Sequence, residues 1–245
     1  MNPSPRTVGI LAGMGPAAGV DFVRLFVGAC EAWLREHGQP VLDQAYPEHW
    51  MAQLPIPDRT RALTDPAAPQ PLEAMLRGLN QLTALGAVAV AIPCNTAHAW
   101  HAALQERVPQ VELLHIASET AAEIRRLGHQ RVALLATQGT YDTGLYDEAF
   151  AAQGIECVLP GDEARIWLMQ GIYDGVKAGD MRLAEQRFTQ VAQQLRATHG
   201  DIALVMACTE IPLALPQAPE ARDWTLVDPS AILAAALAAR AYGQP

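Results

Sequence analysis

Two kinds of segment alternate along the chain, namely short apolar runs and longer amphipathic stretches. The short runs are rich in Val, Ile, Leu and Ala and lack a polar face, so they predict strands buried on both sides. The longer stretches predict helices, as in 16–37, where five apolar residues are expected near one face, namely Val20, Val23, Phe26, Val27 and Cys30. Such alternation predicts an α/β fold in which helices cover parallel sheets.

The predicted elements follow one order in both halves of the chain. Strands are predicted at 6–12, 40–45, 87–92, 111–116, 131–137, 155–160, 201–207 and 224–230. Helices are predicted at 16–37, 70–85, 96–107, in the segment ending near 153, and at 162–176, 180–198 and 231–243. Residues 46–66 are rich in Pro and Asp and are predicted to form a loop.

The second half of the chain repeats the first. TVGILAGMGP (7–16) aligns with RVALLATQGT (131–140), and GAVAVAIPCNT (86–96) aligns with GDIALVMACTE (200–210). Each half therefore contains an opening strand and turn, and later a strand that ends in a cysteine. This repetition predicts two pseudo-symmetric α/β units.

We expect the first domain to comprise residues 1–113 and 223–245 and to carry Cys94. The second domain would comprise residues 114–222 and carry Cys208. Ligands of such sheets bind at the carboxyl ends of the strands. Two facing domains would therefore place the active site in the cleft between them.

Composition excludes several classes of protein. The chain has 245 residues, half of them hydrophobic and only 18% charged, so it is not intrinsically disordered. A net charge of −9 argues against a nucleic-acid partner. No signal peptide and no apolar run of membrane-spanning length is evident. Four widely spaced cysteines without a CxxC pair indicate reduced thiols, so we expect a cytoplasmic protein.

Two of the cysteines are candidates for chemistry. Cys94 and Cys208 each end an apolar strand and precede a predicted helix, whose dipole would lower the thiol pKa. Cys30 and Cys157 are expected to be buried core residues. Two thiols facing each other across a cleft would suit racemisation, in which one removes a proton and the other delivers one. A single cysteine beside a histidine and an acid would instead indicate acyl transfer.

Six motifs, in order, carry a family resemblance: GILAGMGP, LPIPDRT, PCNTAH, LLATQGT, GVKAGD and ACTEIPL. From about Thr7 to the C-terminal helix, the chain resembles the aspartate racemase branch of the cofactor-independent aspartate/glutamate racemase family. The resemblance implies a two-domain fold, no cofactor, and Cys94 and Cys208 as the acid/base pair. It also implies substrate contacts at Met14, Arg59, Asn95, Thr96, Thr137, Lys177, Thr209 and Glu210. The chain departs from the family at Ala207, where glycine is usual, and in YPEHWMAQ, which has no match.

The resemblance predicts interconversion of the L and D forms of an acidic amino acid, with aspartate first and glutamate second. Backbone N–H groups and the Asn95, Thr96 and Thr209 side chains would stabilise the enediolate-like charge. Arg59 would bind a carboxylate in bidentate fashion, unless it pairs with a neighbouring aspartate at the surface. Lys177 would bind a carboxylate as a point charge, unless it is a solvated turn residue.

Lys177 is also the only lysine, since the other 16 basic residues are arginines. A pyridoxal phosphate Schiff base would have to form on this residue, in a turn without a phosphate-binding motif. The matched cysteines make such a cofactor unnecessary. Glu210 would contact the substrate ammonium or face solvent.

Several alternatives remain open at the level of sequence. One is a maleate isomerase-like enzyme in which one cysteine attacks carbon, and another is a binding protein without turnover. His98 and His101 suggest a zinc-binding helix face, but no fourth ligand is evident. Gly13, Gly15 and Gly19 suggest a dinucleotide loop, but their spacing is one residue too long. We expect a small-molecule substrate, a homodimer, no membrane partner, and a C-terminal helix in the core or the dimer surface.

Overall fold

The computed structural model describes residues 4–243, which divide into two units. The first unit holds the residues up to Glu119 together with those from Ser230 onward, and the second is Thr120–Pro229. Each unit is built on a four-stranded parallel sheet. The predicted α/β class with two parallel-sheet domains is therefore confirmed. Within residues 4–243, no helix is long and apolar enough to cross a membrane.

The sheet of the first unit has the order β2-β1-β3-β4. Its strands are β1 (Val8–Ala12), β2 (His49–Gln53), β3 (Ala89–Ala91) and β4 (Glu112–Leu113). Its helices are α1 (Pro16–Glu36), α2 (Arg59–Thr64), α3 (Leu72–Ala84) and α4 (His101–Arg107), and α5 (Ile116–Arg126) runs on into the second unit. All five residues of β1 are buried, as expected for an inner strand that pairs on both sides.

The sheet of the second unit has the order β6-β5-β7-β8, which repeats the order of the first sheet. Its strands are β5 (Arg131–Ala136), β6 (Glu156–Val158), β7 (Ala203–Ala207) and β8 (Leu226–Val227). Its helices are α6 (Gln138–Asp142), α7 (Asp147–Ala152), α8 (Asp162–Gln170) and α9 (Met181–His199), and α10 (Pro229–Ala241) follows. The internal repeat of the sequence thus corresponds to a repeated sheet topology.

Three predictions of secondary structure are wrong. The strand predicted at 40–45 is instead a short 3₁₀ turn, Asp43–Ala45. The predicted loop 46–66 contains both the edge strand β2 and the helix α2. Because β2 pairs only with β1, its apolar residues Trp50 and Met51 are exposed and lie between His49 and Gln53, so the segment lacks the continuous apolar run of an inner strand. The strand predicted at 111–116 covers β4 and the first residue of α5. The helix α5 itself was not predicted from the sequence.

The cysteine that follows the third strand of each sheet packs against the hydrophobic core of its unit. Cys94 packs in a cluster with Leu11, Met75 and Leu104. Cys208 belongs to the corresponding cluster of the second unit, with Leu135 and Phe188 among its members. Both thiols are therefore presented from well-packed frameworks rather than from mobile loops.

The turn between β1 and α1 requires a glycine at position 13. Gly13 has a φ of 103°, a conformation that residues with a side chain rarely adopt. A Cβ atom placed there would lie 1.9 Å from the carbonyl oxygen of Leu54. The backbone of this turn therefore contacts the backbone that follows β2 directly.

We expect Gly13→Ala to lower the free energy of unfolding by at least about 2 kcal/mol, because it adds backbone strain to a steric clash. Gly28→Ala is the matched control, since Gly28 lies within α1 and a Cβ there meets nothing within 4 Å. The control should gain about 0.5–1 kcal/mol of stability. Urea titration of both variants measures the difference, and equal stabilities would contradict this account of the turn.

Candidate functional site

The chain turns sharply at Cys94, just beyond the end of β3. The Cys94 N–H donates to the carbonyl of Ile92 at 2.8 Å, and a 3₁₀ helix, Asn95–Trp100, begins immediately afterwards. Cys94 itself occupies the N-cap position of this 3₁₀ helix. The side chains of Cys94, Asn95 and Thr96 are buried. The register of β1 and β3 places the turn at Gly13 and Met14 opposite Cys94.

Arg59 connects the loops around Met14. Its Nη2 donates to the carbonyl of Met14 at 2.8 Å, and its Nη1 donates to the carbonyl of Pro57 at 3.0 Å and that of Ile56 at 3.4 Å. The side chain is buried rather than placed at the surface. The guanidinium therefore holds the turn after β1 against the segment that leads into α2.

In the second unit, Cys208 directly follows β7 and contacts a buried carboxylate. Its Sγ donates to Oε2 of Glu210 at 3.1 Å, and the Thr209 hydroxyl donates to the same oxygen at 3.1 Å. The other oxygen, Oε1, lies 3.9 Å from Nζ of Lys177. Glu210 is only 4% exposed, so a thiol, a hydroxyl and an ammonium group replace the water that burial removes. The Glu210 carboxylate therefore accepts hydrogen bonds from both the Cys208 thiol and the Thr209 hydroxyl.

Burial raises the pKa of the Cys208 thiol well above its usual range, and the charge of Glu210 raises it further. Lys177 acts in the opposite direction. The prediction that a helix dipole lowers this pKa is wrong for Cys208, because the following helix, Ile211–Leu213, is a single 3₁₀ turn and desolvation dominates. The surroundings of Cys208 therefore favour its neutral thiol form.

Thr137 lies beside Cys208 at the same edge of the sheet. The register pairs Ala136 of β5 with Ala207 of β7, so the next residues, Thr137 and Cys208, leave the sheet side by side. Thr137 caps α6, its Oγ1 accepting from the N–H of Thr140 at 3.2 Å. Its position and burial fit the role expected of a site residue.

Each sheet thus collects one group of predicted residues at its carboxyl edge. In the first unit, the residues near Cys94 are Met14, Arg59, Asn95 and Thr96. In the second unit, the residues near Cys208 are Thr137, Lys177, Thr209 and Glu210. The sequence analysis missed Tyr173, whose ring centroid lies 4.5 Å from Nζ of Lys177. The spacing of four residues between Tyr173 and Lys177, one helical turn, was the available signal.

His98 and His101 belong to a cluster of three imidazoles, of which the sequence analysis missed His115. The His115 ring centroid lies 4.7 Å from that of His101 and 5.1 Å from that of His98. Nε2 of His98 contacts the carbonyl of Ile92 at 3.2 Å, and Nε2 of His101 contacts that of Leu113 at 2.8 Å. The cluster therefore ties the helix after Cys94 to the ends of β3 and β4.

Among the residues described, no group of three His, Cys, Asp or Glu side chains is arranged to hold a metal ion. Burial instead keeps the imidazoles neutral. It lowers the pKa of His98 well below its usual range and that of His115 to about 4, and neighbouring histidines add to both shifts. The pKa of His101 is also lowered by burial.

Comparison with known proteins places this geometry in context. The family model described as Asp/Glu/hydantoin racemase matches residues 11–237. The broad specificity amino-acid racemase RacX of Bacillus subtilis (strain 168) is 27% identical over 227 residues, which cover 93% of this chain and 94% of RacX.

Two solved structures illustrate the range of similarity. Picrophilus torridus aspartate racemase is 28% identical and superposes with a TM-score of 0.82, over 98% of this chain and 95% of that one. Glutamate racemase from Francisella tularensis subsp. tularensis SCHU S4, in complex with D-glutamate, is 18% identical with a TM-score of 0.63. That match covers 96% of this chain and 80% of the other and shares the fold.

We expect the two charged neighbours of Cys208 to shift its pKa in opposite directions. Glu210→Gln should lower the thiol pKa, because it removes a negative charge, and Lys177→Gln should raise it further, because it removes a positive one. The pH dependence of alkylation by iodoacetamide, followed on the Cys208 peptide by mass spectrometry, measures both shifts. Glu220→Gln, a distant exposed change, serves as the control. Shifts in the same direction would refute this electrostatic assignment.

The histidine cluster should make stability depend on pH. As the pH is lowered from 6.5 to about 4, the unfolded chain takes up protons on these imidazoles while the folded chain does not. The free energy of unfolding therefore decreases as the pH is lowered through this range. Urea titrations at several pH values should show this loss, and His115→Gln should reduce it. His129→Gln, outside the cluster, should retain the full loss. Identical profiles for both variants would contradict the prediction.

Proposed function

Because the chain belongs to the Asp/Glu/hydantoin racemase family and is therefore an isomerase, we propose that it interconverts the L and D forms of an acidic amino acid without a cofactor. Aspartate is the first candidate substrate and glutamate the second. Cys94 and Cys208 act as the acid/base pair, and the proposal requires both thiols to reach one α-carbon.

The observation that supports this proposal most strongly is the repeated placement of the two cysteines. In both sheets the third strand in chain order is an inner strand, and a buried cysteine follows it at the carboxyl edge. Ligands of open parallel sheets bind at this edge. A reaction that adds and removes a proton on opposite faces of one carbon needs two such groups, one for each face.

In one direction, the Cys94 thiolate removes the α-proton while the Cys208 thiol delivers its own proton to the opposite face. The raised pKa of Cys208 suits it to this first role as a donor. In the other direction the same steps run in reverse: the Cys208 thiolate that the first direction leaves, with its sulfur 3.1 Å from Glu210, removes the α-proton. The Cys94 thiol, which holds the proton that it removed, protonates the opposite face.

The negative charge that develops on the substrate carboxylate needs preorganised donors. In the first unit, these are the Asn95 and Thr96 side chains and the backbone N–H groups of the 3₁₀ helix. In the second unit, Lys177 and Thr137 are the candidates. Arg59 acts through Met14, whose carbonyl it binds at 2.8 Å, and positions the turn opposite Cys94.

Support for an acidic substrate comes from the similarity to Picrophilus torridus aspartate racemase. The name of the Bacillus subtilis relative extends the candidates to other amino acids. The proposal includes a homodimer and a cytoplasmic location, where the four free cysteines would remain reduced.

The test is α-proton exchange in D₂O with pure L- or D-aspartate and glutamate, followed by NMR and by optical rotation. We expect deuterium incorporation at the α-carbon together with loss of optical activity. Cys94→Ala and Cys208→Ala should each lower the racemisation rate by about 10³-fold or more, since each removes a general acid/base.

Cys157→Ala is the matched control, because Cys157 is a free cysteine in β6, away from the carboxyl edge. It should racemise at the wild-type rate. Wild-type turnover by Cys94→Ala would refute the two-thiol mechanism. If no amino acid exchanged or lost optical activity, the racemase proposal would fall, and binding without exchange would indicate a binding protein on this fold.

A further inference from the structure

The second unit contains a cavity that the proposed racemase chemistry does not use. Its volume is about 670 Å³, and Gln138, Asp162, Arg165, Ile166, Met169 and Tyr173 are among the residues that line it. The walls come from the start of α6, one face of α8 and the π-helical turn Gly171–Gly175. The cavity therefore lies at the carboxyl edge of β5 and β6, one strand along from Cys208.

The cavity adjoins the residues around Cys208. Gln138 directly follows Thr137, and its N–H contacts Sδ of Met169 at 3.3 Å. Tyr173 carries Nζ of Lys177 over its ring, and the same Nζ lies 3.9 Å from Oε1 of Glu210. One wall of the cavity is thus joined, through Lys177, to the carboxylate that holds the thiol.

The lining has the chemistry of a site for a long side chain. Ile166, Met169 and the Tyr173 ring provide apolar surface for methylene groups. Two carboxylates, those of Asp162 and Asp174, also line the cavity. They are solvent-exposed, so they would bias the charge of the occupant rather than bind it tightly.

The single cation in the lining, Arg165, is already engaged. Its guanidinium carbon lies 4.6 Å from the centroid of the Tyr141 ring, and its Nε donates to the carbonyl of Pro160 at 2.9 Å. These partners are neutral and leave its charge in place, but the lining carries two carboxylates against this one guanidinium, so a positively charged group is better matched to the cavity than a negative one.

From these features we infer that the cavity is a side-chain subsite, which extends the substrate range to amino acids whose long aliphatic side chain ends in a cation. The inference rests on the proposed racemase function, because the α-carbon of the same substrate would have to lie at Cys208. Lysine is the probe of this class, and norleucine, which lacks the terminal ammonium, separates charge from apolar contact.

The first experiment measures kcat/KM for racemisation of lysine, norleucine and aspartate. We expect Asp162→Asn/Asp174→Asn to lower the value for lysine about five- to tenfold and to leave that for norleucine within about twofold, the range that two exposed carboxylates can supply. Glu163→Gln/Glu220→Gln is the matched control, since it removes two carboxylates that do not line the cavity. Glu163 even shares the first turn of α8 with Asp162. Equal losses for the two double variants would overturn the inference.

The second experiment fills the cavity. Ile166 is 58% exposed, so Ile166→Trp adds bulk to the cavity without disturbing the core. The loss of kcat/KM should be about tenfold greater for lysine and for norleucine than for aspartate. A loss equal for all three substrates, or no loss for lysine, would contradict a side-chain subsite.

Calorimetric titration of wild type with lysine distinguishes failure of this inference from failure of the racemase proposal. If aspartate is racemised but lysine is neither racemised nor bound, the subsite alone is refuted. If no amino acid is racemised, the subsite still predicts lysine binding that Asp162→Asn/Asp174→Asn weakens. Absence of that binding would refute it as well.

Discussion

A buried carboxylate must find donors to replace the water that it loses, and the second unit is arranged around one such group, Glu210. Its two oxygens receive the Cys208 thiol, the Thr209 hydroxyl and, at longer range, the Lys177 ammonium. Two of these donors adjoin Glu210 in sequence, whereas Lys177 arrives from the turn before α9. The end of β7 and the turn before α9 are therefore held together by charge as well as by packing, and the Cys208 sulfur lies where the two meet.

The two units share a sheet topology but surround their cysteines with different chemistry. Near Cys94, neutral imidazoles and the Arg59 guanidinium donate to or contact backbone carbonyls, so they fix the path of the chain. Near Cys208, the contacts are between side chains and involve full charges. A duplicated scaffold thus supports a chemically asymmetric pair of thiols. Such asymmetry is compatible with the proposed racemisation, in which each thiol would face one side of the α-carbon.

The sequence predicts those parts of the fold that depend on burial along a single segment. The strands β1, β5 and β7 are inner and, apart from the exposed Arg131 at the start of β5, lack polar side chains, so their apolar runs are visible directly. The edge strand β2 was missed because pairing on one side leaves it exposed, and α5 was missed because its first apolar residue continues the run of β4. Cys94 and Cys208 could be identified from their repeated position. The His115 contacts and the direction of the Cys208 pKa could not, because both depend on what surrounds a group in three dimensions.

The position of the only lysine has a consequence for chemical labelling. In most proteins of this size, amine-directed reagents modify many surface lysines at once, but arginine takes nearly every basic position here. Lys177 is the single side-chain amine, and it lies against Glu210 and Tyr173 with its side chain 28% exposed. Apart from the α-amine of the chain, the target of amine-directed attachment to surfaces, lysine cross-linking and acetylation would therefore be a single side chain beside the Cys208 thiol.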